Sequence, residues 1–122
     1  MVVCEEETQW LKKVSASFIQ DINSWIWLPQ FVEFSFSTDG LHYDNPIRIN
    51  NPIDPKAEGA IIHEFSTRAL IKRARYIKLT AKGMIDCPSW HKGYAYHGKA
   101  WLFVDEVTIH ENGFPKIPIV KE

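Results

Sequence analysis

The stretch whose reading decides the fold is Trp90-His91-Lys92-Gly93-Tyr94-Ala95-Tyr96-His97-Gly98-Lys99, continued by Ala100-Trp101-Leu102-Phe103-Val104-Asp105-Glu106-Val107-Thr108-Ile109. The first half reads as a loop, because glycines punctuate a segment filled with aromatic and histidine side chains. The second half reads as a strand: apolar, aromatic and β-branched residues dominate, and neither Gly nor Pro interrupts them. From 101 to 104 both faces of that strand are apolar, which predicts a place deep in a two-layer core, with Trp101 as a core residue. Asp105 and Glu106 then follow each other, and neighbours on a strand point to opposite faces. One carboxylate must turn inward and find a cation or several donors, unless a bulge shifts the register.

Outward from this stretch, the same period recurs. Val14, Ala16 and Phe18 alternate with Ser15 and Ser17, and Val32, Phe34 and Phe36 alternate with Glu33, Ser35 and Ser37. Thr38-Asp39-Gly40 is a hairpin-type turn in which glycine supplies a positive φ, and Leu41-His42-Tyr43 should begin the return strand. Tyr76, Lys78 and Thr80 alternate with Ile77, Leu79 and Ala81, and residues 60–66 form another candidate strand. Residues 5–9 read as a polar lead-in, residues 44–56, with three prolines, as loop, and 67–73 as ambiguous, with room for one helical turn. Short strands, frequent turns and no convincing helix predict an all-β antiparallel sandwich or barrel. A single domain over residues 1–122 is expected, with its core at about 11–110 and an irregular tail at 111–122.

Composition narrows the function. The chain has 122 residues, 45% of them hydrophobic, and a net charge of -1 with its cations dispersed. Duplex nucleic acid would need a concentrated basic face, so no nucleic-acid partner is expected. No apolar run approaches a membrane span, and the N-terminus, with Glu5, Glu6 and Glu7, is not a signal peptide. The protein is therefore either cytosolic or an excised piece of a secreted one. Cys4 and Cys87 read as two unpaired thiols, with one disulfide between them as the alternative that no cysteine framework supports.

Five segments together resemble the discoidin, or coagulation factor 5/8 type C, family, which overlaps carbohydrate-binding module family 32. They are Ser24-Trp25-Ile26-Trp27-Leu28-Pro29, Phe34-Ser35-Phe36-Ser37-Thr38-Asp39-Gly40, Ala74-Arg75-Tyr76-Ile77-Lys78-Leu79, Pro88-Ser89-Trp90-His91 and Gly98-Lys99-Ala100-Trp101-Leu102-Phe103-Val104-Asp105-Glu106. The last two are especially similar to the C-terminal module of bacterial family-20 glycoside hydrolases, the β-N-acetylhexosaminidase or chitobiase type. The match covers about residues 14–110. It implies a jelly-roll-like, galactose-binding-domain-like sandwich with ligand loops at one end. It also implies a periplasmic, cell-surface or extracellular location as part of a parent protein. This chain departs from the pattern: the usual opening Asp-Gly loop and Thr-x-Trp are missing, and the usual first strand is expected to be truncated away, lost or substituted. In many relatives that loop supplies most of a structural calcium site and a last-strand glutamate supplies a further ligand. Glu106 matches that glutamate. The competing reading pairs Glu106 or Asp105 with a cation such as Arg75.

Sugars offer flat C–H faces to aromatic rings and hydroxyls to polar side chains. Trp90, His91, Tyr94, Tyr96 and His97 supply that mixture on a loop, where binding residues concentrate. Trp90 and His91 have an alternative use as packed residues pinning the loop, and for Trp90 burial is the favoured reading. Trp25 and Trp27 share one face if extended and are further ligand candidates, unless they cap the core. His42, Tyr43 and Arg48 lie near another turn and are weaker candidates. Cys87, His91 and His97 are soft metal donors, but zinc sites show a second paired half that is missing here. Asp86, Ser89 and His91 crowd together without a nucleophile-elbow pattern, so no catalytic residue is expected. The expected function is a non-catalytic accessory module that binds a galactose- or N-acetylhexosamine-type glycan and holds a parent catalytic domain near it. The alternative is a module that packs on its parent enzyme and binds no sugar.

Overall fold

The computed structural model describes residues 1–111 of the chain. From residue 112 onward, the expected irregular tail lies outside the described residues. Six strands form one antiparallel sheet: β1 (Val2–Gln20), β2 (Phe31–Ser37), β3 (Ile47–Asn50), β4 (Ile61–Ser66), β5 (Lys72–Lys82) and β6 (Phe103–Glu111). The order is β3-β2-β5-β1-β4, with β6 on β1. The helical content of the described residues is two 3-10 turns, Ile22–Ser24 and Lys92–Tyr96. No helix among them is long and apolar enough to cross a membrane.

The curl of the sheet comes from β1. Its first half pairs with β5 from Val2 to Leu11, and its second half pairs with β4 from Ser15 to Gln20. β6 runs along the other edge, from Leu11 to Ile19. One 19-residue strand thus serves two layers, and the fold is an all-β, sandwich-like one. The larger core takes Leu11, Val14 and Phe18 from β1, Val32, Phe34 and Phe36 from β2, Phe65 from β4, and Ile77 and Leu79 from β5. Phe18 and Phe65 meet edge to face at 5.7 Å, the geometry that the ring quadrupoles favour.

Residues 5–9 are strand rather than lead-in. Their glutamates can stand in water, while the register shift between Cys4 and Gln9 absorbs the irregularity. The return strand starts later than expected, at Ile47, because Asp44 reconnects the chain to β2. The Phe36 amide donates to Asp44 Oδ1 at 2.8 Å, and the Asp44 amide donates to Phe36 O at 3.0 Å. β3 therefore falls inside the proline-bearing segment read as loop. It fits between Pro46 and Pro52, and its Ile47 and Ile49 pack against the core. No helical turn forms after β4; instead Thr67 closes on Val14, donating its amide to Val14 O and accepting the Val14 amide on Oγ1.

In the turn after β2, Gly40 takes a φ of 79°. Asp39 Oδ1 accepts from the amides of His42 and Leu41 and from Ser37 Oγ, and Asp39 Oδ2 lies 2.8 Å from His42 Nδ1. The His42 amide first, and then its ring, hold the Asp39 carboxyl well below the usual carboxylate range. A depressed folded-state value stabilises the fold above the unfolded carboxylate's pKa and is lost as pH falls toward the folded one. An acid titration followed by NMR should show the Asp39 carboxyl protonating well below the usual carboxylate range. Asp39→Asn should flatten the acid side of the stability profile by lowering stability at neutral pH, while the acid end stays close to the parent's.

The largest correction concerns β6. Residues 101–104 are exposed on both faces, and Trp101 is 59% exposed rather than a core residue. Within the described residues β6 pairs only with β1, and Val107 and Ile109 alone bring it against the core. Apolar character on two faces therefore marks an uncovered strand end here. The paired carboxylates also resolve without burial. Ser17 pairs with Glu106 and Phe18 with Val104, so Asp105 is the extra residue of a bulge and both carboxylates stay exposed.

Candidate functional site

At one end of the sheet, the chain between β1 and β2 packs on the segment between β5 and β6. A second apolar cluster forms there from Ile22, Trp27 and Cys87, with Trp25, Met84 and Ala100 against it. Trp27 is 1% exposed, and its indole donates to Pro55 O at 3.0 Å. Buried Gln20 ties down the same turn, donating to Asp54 O and Ala57 O, while its Oε1 accepts the Leu28 amide. Trp27 is thus structural and removed from the ligand candidates. The shared face expected of Trp25 and Trp27 does not form, because Trp25 has left-handed backbone with a φ of 64°. Trp25 is half-buried and wedges against Gly98, where an added Cβ would lie 2.4 Å from its ring. Glycine at 98 is what lets the loop close over that indole.

His91 is the pin of the loop. It is 7% exposed, and its Nε2 lies 2.6 Å from Ile22 O while its Nδ1 accepts the Gly93 amide at 3.0 Å. These partners assign the neutral tautomer with the proton on Nε2. The imidazole also meets Trp27, Trp90 and Trp25 edge-on, with centroids at 4.8, 5.9 and 6.1 Å. Both ring nitrogens are therefore engaged with backbone, so His91 faces neither a metal nor Ser89. Burial first, and then the Asp86 carboxylate, push the Cys87 thiol up, which keeps it protonated. Asp86 pairs with Lys99 at 2.6 Å. The grouping of Asp86, Ser89 and His91 is thus one of sequence alone.

The remaining candidates form the rim. His91 caps the 3-10 turn Lys92–Tyr96, and His97 ends it in left-handed conformation. That turn is held by Gly98 N donating to Gly93 O at 2.9 Å and by Cys87 N donating to Gly98 O at 2.9 Å. Tyr94, Tyr96 and His97 stand exposed on it, Tyr96 by 78%. Trp90, expected to be buried, is 41% exposed, with one edge on Trp27 and the Lys56 ammonium 5.5 Å over its ring. The structure thus brings Trp90, Tyr94, Tyr96 and His97 onto one anchored loop.

The weaker candidates serve the scaffold. His42 pairs with Asp39, Tyr43 lies under the Lys78 ammonium, and Arg48 stacks on Phe31 at 3.7 Å while pairing with Glu33. Glu106 stands exposed on β6, no ion pair among the described residues joins it or Asp105 to Arg75, and the Arg75 guanidinium donates instead to Glu5 O. No three His, Cys, Asp or Glu residues among those described are grouped to hold a metal ion. Cys4 and Cys87 are unpaired thiols. Trp101 and Phe103 are the exposed rings that sequence reasoning assigned to the core; their alternation with Leu102 and Val104 gave no sign of which face met water. Compared with known proteins, the chain matches no family model and no curated sequence.

Proposed function

We propose that this chain is a non-catalytic carbohydrate-binding accessory module, of the kind attached to a secreted bacterial glycoside hydrolase of the hexosaminidase type. The observation that carries the reading is the anchored rim: exposed Tyr94, Tyr96 and His97 on a loop whose base is held by buried His91. A backbone anchored before binding loses little freedom when its side chains stack against a sugar face. A single shallow rim of this sort binds weakly, and its benefit is the effective concentration it gives a linked catalytic domain.

Titration with galactose, N-acetylglucosamine and their oligomers should move the NMR signals of Tyr94, Tyr96 and His97. Tyr96→Ala should weaken that binding several-fold, by about 1 kcal/mol, while leaving the melting midpoint within error. Silence of those signals with every saccharide would count against the reading. A second reading, a packing module that contacts its parent enzyme, is favoured by the exposed apolar residues 101–104.

A further inference from the structure

We propose that Trp101 and Phe103 form a second saccharide subsite, beside the ring-bearing loop, for a chain of linked pyranose units. The inference rests on the carbohydrate-binding reading above and extends it to residues outside the loop. The two side chains occupy alternate positions of an extended segment and so lie on one side of it. Their centroids are 6.5 Å apart and their planes are tilted by only 16°. Direct face contact would need about 3.5–4 Å, so at this separation the two rings do not cover each other's faces in close contact. Both are open to solvent, by 59% and 47%.

The platform is held before any ligand arrives. Trp101 N donates to Trp25 O at 2.8 Å, and Trp101 O accepts the Trp27 amide at 3.1 Å. Phe103 is in register with Ile19 of β1. At the platform's end, two residues before Trp101, Lys99 is paired with Asp86, and both are exposed. That pair offers a donor and an acceptor to ring hydroxyls, as the aromatic surfaces offer contact to C–H faces. Nearly parallel planes suit a ligand of repeated flat units, which an irregular protein contact does not require.

The test uses the 122-residue chain with monomers and β-linked tetramers of N-acetylglucosamine and of galactose. A tetramer should shift the Trp101 indole N–H together with the loop amides. Trp101→Ala should weaken tetramer binding about tenfold and leave monomer binding at the loop unchanged. Phe103→Ala should act in the same direction, and both variants should melt near the parent's midpoint, since both rings are exposed. A tetramer that moves only loop signals and binds Trp101→Ala like the parent overturns the subsite and leaves the loop reading intact. No response to any saccharide overturns both. Self-association that disappears in Trp101→Ala, with no saccharide shift at that indole, assigns the rings to protein contact and overturns the subsite.

Discussion

Trp27→Ala is expected to lower the thermal midpoint by roughly 10–20 °C, from a loss of about 3–5 kcal/mol. The indole is 1% exposed and sits in the second apolar cluster between Ile22 and Cys87. Removing it opens a cavity, strips the faces against which His91 and Trp90 rest, and leaves Pro55 O without its indole donor. Each of these costs acts in the same direction. Such a loss is a large fraction of the stability of an ordinary small domain, about 5–15 kcal/mol. Trp27→Phe separates the contributions: it keeps a ring of somewhat smaller volume and loses the N–H, so its midpoint should fall between those of the parent and the alanine variant. Circular dichroism melts of the three proteins check this. An alanine variant melting with the parent would contradict the buried position.

His91→Ala is the second large effect, and it acts on the loop more than on the main core. The substitution leaves the Gly93 amide without its imidazole acceptor in a water-poor site, at about 1–3 kcal/mol, and takes one of two donors from Ile22 O, which keeps the Trp25 amide. It also removes the ring that three tryptophans meet edge-on. Amide exchange should accelerate most over residues 91–98, while the β2 and β5 amides that pair with each other keep more of their protection. If the rim binds saccharides as proposed, that binding should fall with it, although His91 itself is covered. An exchange pattern equal to the parent's across the loop would show that the imidazole does not anchor it.

These effects explain why the candidate site was only partly legible in residue order. The loop was readable as a loop because glycine and aromatic residues alternate irregularly through it. The division of labour inside it was not. His91 and His97 are the same residue type six positions apart. One is buried between backbone partners, and the other ends a 3-10 turn in solvent. That difference depends on Ile22 O, which approaches from 69 residues away. Trp90 and Trp101 were both weighted toward burial because large apolar groups usually are buried. Trp90 keeps one edge on Trp27 and is 41% exposed, while Trp101 lies where no layer among the described residues covers it.

What residue order alone determined is the strand period: Val32, Phe34 and Phe36 facing one way, Ile77 and Leu79 another strand's matching face, and a glycine turn at Gly40. These are local facts, set by the alternation of a pleated backbone and by the φ that a tight turn demands. What only the tertiary structure decided is which strand is covered. β1 is long enough to join two layers, and β6 lies on its outer edge, so the most apolar run of the chain ends up facing water. Burial belongs to the sheet order, a non-local property, because the same alternating side chains are inside or outside according to which strands lie over them.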